Sequence, residues 1–388
     1  MNKIWHAGDP DAVSWFTHNS NFANEHEFVS SVIPDAGSAD FLNLPERIKN
    51  ILRLDKPDLI ITLDIHKVDE PVISLEITMT TPQSQHAKQR IPRIIAAAES
   101  NIPAIYLIPK RKLSGGSLYK IGSDVYFCLD KVQKMNRVPV IIYNWPDIEG
   151  TLITDNEFPN LPNINNEEMT DMFQTMDKML ELRLSSEHSE QFKQNLYEDG
   201  WIKSQIKKTT DMGNEWDGDM GNFSTLELIK TEDLSNYLQN NTRMNNRRIT
   251  RTLDRLPQRI LNRVNTLIFK PTGRMFDHAG DPYTGMISFF DYVYCRYGRN
   301  VEERHTNLVY MPLKDGSKNI IDEFAPAGYN RFYENNCPLS VDTVPTLEQQ
   351  FSISHHLQYG CVFTKKKPLR IYGYFSDMIF FQDSMLVF

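Results

Sequence analysis

A chain of 388 residues with 40% hydrophobic and 24% charged side chains is long enough for two or three domains, each with a buried core of its own. No window approaches about 18 consecutive apolar residues, so a membrane span is not expected. The opening MNKIWHAGDPDAVSW does not read as a secretory signal, and four scattered cysteines without a CxxC pair argue against a zinc knuckle or a disulfide scaffold. A reduced, cytoplasmic setting is the expectation. A net charge of -8 counts against a nucleic-acid partner only if basic residues fail to cluster, and they do cluster.

In chain order, Leu44 to Leu52 places Ile48, Ile51 and Leu52 on one helical stripe. Residues 57–65 (PDLIITLDI) and 71–79 (PVISLEITM) predict two apolar strands around a polar turn. Residues 84–100 predict one helix, bent at Pro92. Residues 103–109 predict a third strand, and VYFCL (125–129) and VPVIIYNW (138–145) two more. This order defines an α/β class, a mixed sheet flanked by helices, over residues 1–146. Residues 147–168, rich in Asn, Asp and Pro, read as a linker.

Residues 169–275 read as a helical region. It opens with methionines at helical spacing that suit core packing, and residues 208–223 form a polar, Gly-rich loop. From Arg243 to Arg274, nine basic residues face a single acid, Asp254. Arg247, Arg251 and Arg255 recur every four residues beside Arg248, and Leu253, Leu256, Ile260, Leu261 and Val264 supply an apolar side. A basic helix of this kind is expected to lie along a DNA backbone or enter a major groove. Residues 276–388 read as an α+β domain for recognition or regulation, with Asp281, Arg296 and Arg304 as candidates to read a base or bind a ligand. His355, His356 and Cys361 lack zinc-ligand spacing, no GxxxxGK[ST] occurs, and no internal repeat is evident.

The chemistry concentrates near the first strands. Asp58 opens one strand directly after Pro57, and Glu76 stands inside the next, where strand alternation puts it on one face with Thr78. A carboxylate inside ISLEI is costly unless it finds a partner or a metal. Two carboxylates on adjacent strands meet the preference of Mg²⁺ for a few acidic ligands and retained water.

Pro57-Asp58, then Glu76-x-Thr78 eighteen positions on, followed by a polar helix and an apolar strand, resembles the core of the PD-(D/E)xK nucleases, the restriction-endonuclease-like superfamily, over residues 44–110. The resemblance implies that Asp58 and Glu76 bind Mg²⁺, for which Mn²⁺ would substitute, with Glu46 a further ligand. It places a lysine where this chain has Thr78. Lys88 on the next helix is the candidate substitute, and Gln89, Arg90 and Arg93 are candidates to contact the phosphate. A Mg²⁺-dependent endonuclease acting on double-stranded DNA is thereby expected, a type II restriction enzyme or related prokaryotic defence nuclease, working as a homodimer. Two alternatives stand beside it: a non-catalytic nucleic-acid-binding module on the same fold, and a ligand-activated or RNA-directed nuclease.

Overall fold

The computed structural model describes residues 1–35, 38–78, 84–109, 111–112, 118–119, 122–148, 151–218, 224–241, 247, 250, 253–254, 256–271, 281–311, 371, 373–381 and 384–387. The chain forms two units, Met1–Gly218 and Asp219–Phe388.

The first unit runs β1 (Asn2–His6), α1 (Pro10–Asn19), α2 (Asn21–Glu25), β2 (Phe28–Val32), α3 (Ala39–Leu42), α4 (Glu46–Leu52), β3 (Leu59–Ile65), β4 (Val68–Ile77), α5 (Ser84–Gln89), α6 (Ile91–Glu99) and β5 (Ala104–Pro109). A two-stranded ribbon, β6 (Arg111–Lys112) and β7 (Leu118–Tyr119), precedes α7 (Ser123–Asn136) and β8 (Val140–Trp145). After β9 (Asp147–Ile148) and β10 (Thr151–Leu152) come α8 (Glu167–Leu184), α9 (Ser189–Glu198) and α10 (Gly200–Asn214). The main sheet is six-stranded, in the order β2-β1-β3-β4-β5-β8. Only β3 runs against the other five. The carboxyl ends of those five strands therefore share one edge with the amino end of β3, the edge where open α/β sheets usually take ligands.

Both faces of the sheet are buried, which explains why its strands read as continuous apolar runs. Ile4, Leu59, Ile61, Leu75, Ile77, Ile105, Leu107, Ile141 and Tyr143 form one core with Trp15 and Phe16 of α1 and with α8. In α8, Asn166 caps the first turn by accepting from Met169 N at 3.0 Å, and Met169, Met172, Met176 and Met179 are all fully buried. The methionines pack the core as their spacing predicts. On the opposite face, α4, α6 and α7 cover β4, β5 and β8.

Four local expectations change, the first being that residues 208–214, expected in a polar loop, instead complete α10. The single helix over 84–100 is two, because Pro92 has no N–H to continue the ladder and instead occupies the first turn of α6. VYFCL is helical, in the middle of α7: Val125, Cys128, Leu129 and Val132 recur at helical spacing, and Arg137 ends the helix with φ 53°. Residues 147–168 are no linker. Phe158 and Leu161 are buried there, and Trp15 Nε1 donates to Pro162 O at 3.0 Å, so the segment belongs to the first core and the division falls after Gly218. The helices α8–α10 accordingly build the first unit.

Helix α10 approaches α7 closely at Gly213, where an added Cβ would meet Phe127 N at 2.9 Å and Phe127 Cα at 3.0 Å. Backbone cannot yield as a side chain can. Gly213→Ala is expected to separate the helices at a cost of about 1–3 kcal/mol, checked by urea unfolding.

The second unit has a five-stranded sheet, β11 (Ser224–Lys230), β12 (Asn265–Pro271), β13 (Thr306–Met311), β14 (Met378–Phe381) and β15 (Ser384–Val387), paired in that order. The middle pairings are parallel and the outer two antiparallel. The expected basic helix over 243–274 is interrupted: Pro257 precedes a short helix, Gln258–Leu261, and β12 begins at Asn265. Arg247 is helical and exposed, while Arg248, Arg251 and Arg255 lie outside the described residues.

Arg259 and Arg263 are engaged with acid. Asp377 accepts from Arg259 Nη1 at 3.1 Å, from Arg304 Nη2 at 3.2 Å and from Asn307 N at 2.9 Å, and it also pairs with Arg263. Asp291 accepts from Arg304 and Arg296. Arg296 and Arg304, expected to read a base or ligand, are instead interior members of this ion cluster.

Contrary to the expectation of no internal repeat, one pentapeptide occurs twice in the chain. His6-Ala7-Gly8-Asp9-Pro10 recurs as His278-Ala279-Gly280-Asp281-Pro282. The first copy joins β1 to α1, with Gly8 at φ 107° and Asp9 capping the helix through Asp11 N and Ala12 N. The second ends in the opening of the helix Asp281–Phe290, between β12 and β13. His278, Ala279 and Gly280 lie outside the described residues.

Candidate functional site

Asp58 stands at the amino end of β3, and the β3–β4 register, with Leu59 opposite Leu75, brings it beside Glu76. The turn after β1 is tied to the same point, since Ala7 N donates to Asp58 O at 3.1 Å. Asp58 Oδ2 accepts from Ile77 N at 2.6 Å. The side chain of Glu76 is 2% exposed and that of Asp58 27%. The two acids named from the sequence therefore meet on one side of the sheet.

Two guanidiniums from α6 and its N-cap complete the cluster. Arg93 Nη1 donates to Glu76 Oε1 at 2.6 Å and lies 3.8 Å from Asp58 Oδ1, while Arg93 Nε donates to Asp55. Arg90 Nε lies 3.2 Å from Glu76 Oε1. Glu76 Oε2 is buried without a hydrogen-bond partner. Burial, followed by the charge of Asp58, pushes the Glu76 carboxyl up to about 8, although Arg93 and Arg90 pull the other way. Burial also raises Asp58 against the opposing pull of Arg93 and the Ile77 N–H. Burial opposes the charge on Arg93, but Glu76 and Asp55 outweigh it and hold the guanidinium protonated.

The remaining predicted residues are dispersed. Thr78 is buried on the same face as Glu76, and its hydroxyl donates to Tyr106 Oη at 3.2 Å, which in turn donates to Ala87 O at 2.9 Å. Burial raises the tyrosine pKa further above its ordinary range. Lys88 is buried and pairs with Asp124 of α7, so the charges acting on the acids are those of Arg93 and Arg90. Gln89 is half-buried at the end of α5. Glu46 is exposed at the start of α4, where it pairs with Lys49 at 2.9 Å, and it does not join Asp58 and Glu76. Arg247 belongs to the second unit.

Sequence reasoning missed Asp55, Tyr106 and Asp124. Asp55 was visible as an acid three residues before Asp58. Tyr106 was not, because its place beside Glu76 comes from the β4–β5 register.

The acid pair suits a hard divalent cation in one respect: Glu76, which has a buried oxygen with no hydrogen-bond donor, stands beside a second carboxylate, Asp58. Asp58 and Glu76 would hold it. Among the described residues no group of three or more His, Cys, Asp or Glu side chains is gathered to hold a metal, so water or substrate oxygens would complete the shell. No helix among the described residues is long and apolar enough to cross a membrane. Comparison with protein-family models, with curated proteins and with solved structures gives no match to this chain.

Proposed function

We propose that the first unit is a Mg²⁺-dependent nuclease of restriction-endonuclease-like kind that hydrolyses phosphodiester bonds of double-stranded DNA. The observation that carries this reading is the meeting of Asp58 and Glu76 at the carboxyl edge of the sheet, with Glu76 Oε2 buried and unpartnered. When bound, the metal supplies Lewis-acid stabilisation and a more acidic water. Asp58 and Glu76 hold it, and Arg90 and Arg93 offer guanidiniums, which match phosphate geometry. Thr78 cannot provide the charge of the motif lysine; the neighbouring arginines carry it. The prokaryotic defence role follows from the resemblance alone, the cytoplasmic setting rests on the scattered cysteines, and the symmetric dimer on the two strands of a duplex needing two sites.

Purified protein is to be incubated with plasmid, single-stranded DNA and RNA in Mg²⁺ or Mn²⁺. Glu76→Gln and Asp58→Asn are each expected to lower cleavage by about 10³-fold, the several kcal/mol a positioned metal supplies. Equal cutting by wild type and both variants removes the enzyme reading. A second reading, a non-catalytic nucleic-acid-binding module, is favoured by Arg93 and Arg90 already engaging Glu76. It expects binding without cleavage, equal in wild type and Glu76→Gln. Preference for RNA over duplex selects the RNA-directed alternative.

A further inference from the structure

The two carboxylates assigned to a metal are already engaged by a cation of the chain itself. Arg93 Nη1 takes Glu76 Oε1 and stands 3.8 Å from Asp58 Oδ1, and Arg90 Nε approaches the same Glu76 oxygen at 3.2 Å. A dication brought to Asp58 and Glu76 with Arg93 in place would set like charges within about 4 Å in a site with little solvent to screen them. Metal and guanidinium therefore compete for one pair of acids.

Arg93 also has somewhere to hold while it moves. Its Nε end rests on Asp55, a separate carboxylate on the segment before β3, so the Nη1 end can leave Glu76 without the side chain losing all its compensation. Backbone phosphate is the chemistry that draws a guanidinium most strongly, through paired, charge-assisted hydrogen bonds.

We propose that Arg93 is a latch: it keeps Asp58 and Glu76 closed to metal until a nucleic-acid phosphate draws it off, so that metal and nucleic acid bind with positive cooperativity. The proposal rests on the nuclease reading above and adds regulation of the same site. Arg90 assists from the N-cap of α6, three residues earlier. Coupling between two ligands is reciprocal, so DNA raises Mn²⁺ affinity by the factor by which Mn²⁺ raises DNA affinity.

The test is calorimetric binding of Mn²⁺ to the full chain, with and without a short duplex made uncleavable by backbone substitution. The wild type is expected to bind Mn²⁺ at least about 10-fold more tightly with the duplex present. Arg93→Met is expected to bind Mn²⁺ tightly without duplex and to lose the coupling. Where that variant does not fold, Arg93→Lys serves, since it keeps the charge but cannot span Asp55 and Glu76 together; its coupling is expected to shrink. The wild-type comparison needs no variant. Equal Mn²⁺ affinity with and without duplex in the wild type overturns the latch and leaves the nuclease reading standing. Coupling unchanged in Arg93→Met or Arg93→Lys also overturns it. Absence of Mn²⁺ binding in every form, with or without duplex, overturns the metal assignment itself and the latch with it.

Discussion

Asp377→Ala is expected to unfold the second unit, or to lower its stability by about 3–5 kcal/mol, the cost of leaving buried charges without their partner. Asp377 is fully buried, and its carboxylate receives Arg259, Arg263 and Arg304 together with the Asn307 amide. Arg263 and Arg304 are themselves nearly inaccessible, so water cannot readily replace the lost acid. Asp291 still holds Arg304 and Arg296, while among the described residues Arg263 keeps only the exposed Glu302 as an ionic partner. A domain is typically stable by only about 5–15 kcal/mol, so this one contact is a large share of the total. Urea unfolding of wild type, Asp377→Ala and the uncharged, similarly shaped Asp377→Asn measures the effect. A loss below about 1 kcal/mol in both variants would mean that solvent reaches the guanidiniums and the cluster is not a dry one.

Glu76→Gln is expected to change how the first unit responds to pH. In the folded chain the Glu76 carboxyl is raised from 4.5 to about 8, so folding favours its protonated form. That contribution is fully present below the ordinary carboxylate range and is lost as pH rises through about 8. Each unit of displacement corresponds to about 1.4 kcal/mol. Without divalent metal, the wild type is expected to lose stability steadily from pH 5 to pH 9. Glutamine cannot ionise, so the variant's curve should be flatter and cross the wild-type curve toward alkaline pH. Asp58, raised in the same direction, keeps a residual slope in both proteins. Added Mn²⁺ should restore the alkaline wild type by mass action and leave the variant unmoved. Melting temperatures recorded across this range in chelator, then in Mn²⁺, decide the matter: parallel curves would show that Glu76 is already ionised in the fold.

Much of the first sheet was legible in the sequence because strands buried on both faces leave uninterrupted apolar runs, as in the antiparallel PDLIITLDI and the parallel PAIYLIP. Helix α8 was legible for a complementary reason: its methionines recur at three and four residues after an asparagine cap. VYFCL misled because five apolar residues fit a strand and one stretch of a buried helix equally well; only Val132, further along, reveals the period. Asp58 and Glu76 were found because acids are conspicuous in apolar strands. Their neighbours were harder to place. Lys88 and Arg93 are five positions apart on a broken helix, and the break at Arg90 decides that Arg93 reaches the acids while Lys88 turns to Asp124. The arginines before β12 read as a DNA-contacting face because Asp377, which receives Arg259 and Arg263, stands more than a hundred residues downstream.

The turn His6–Pro10 joins β1 to α1, and Asp281-Pro282, the described end of the second copy, opens the helix that lies between β12 and β13 in the chain. In both sheets the strand before that helix pairs in parallel with the next strand of the chain, β2 beside β1 and β13 beside β12. In each sheet the strand ahead of the turn has an antiparallel neighbour on its other side, which comes later in the chain in the first unit (β3) and earlier in the second (β11). An identical pentapeptide and the same local pairing of strands thus recur within a changed chain order.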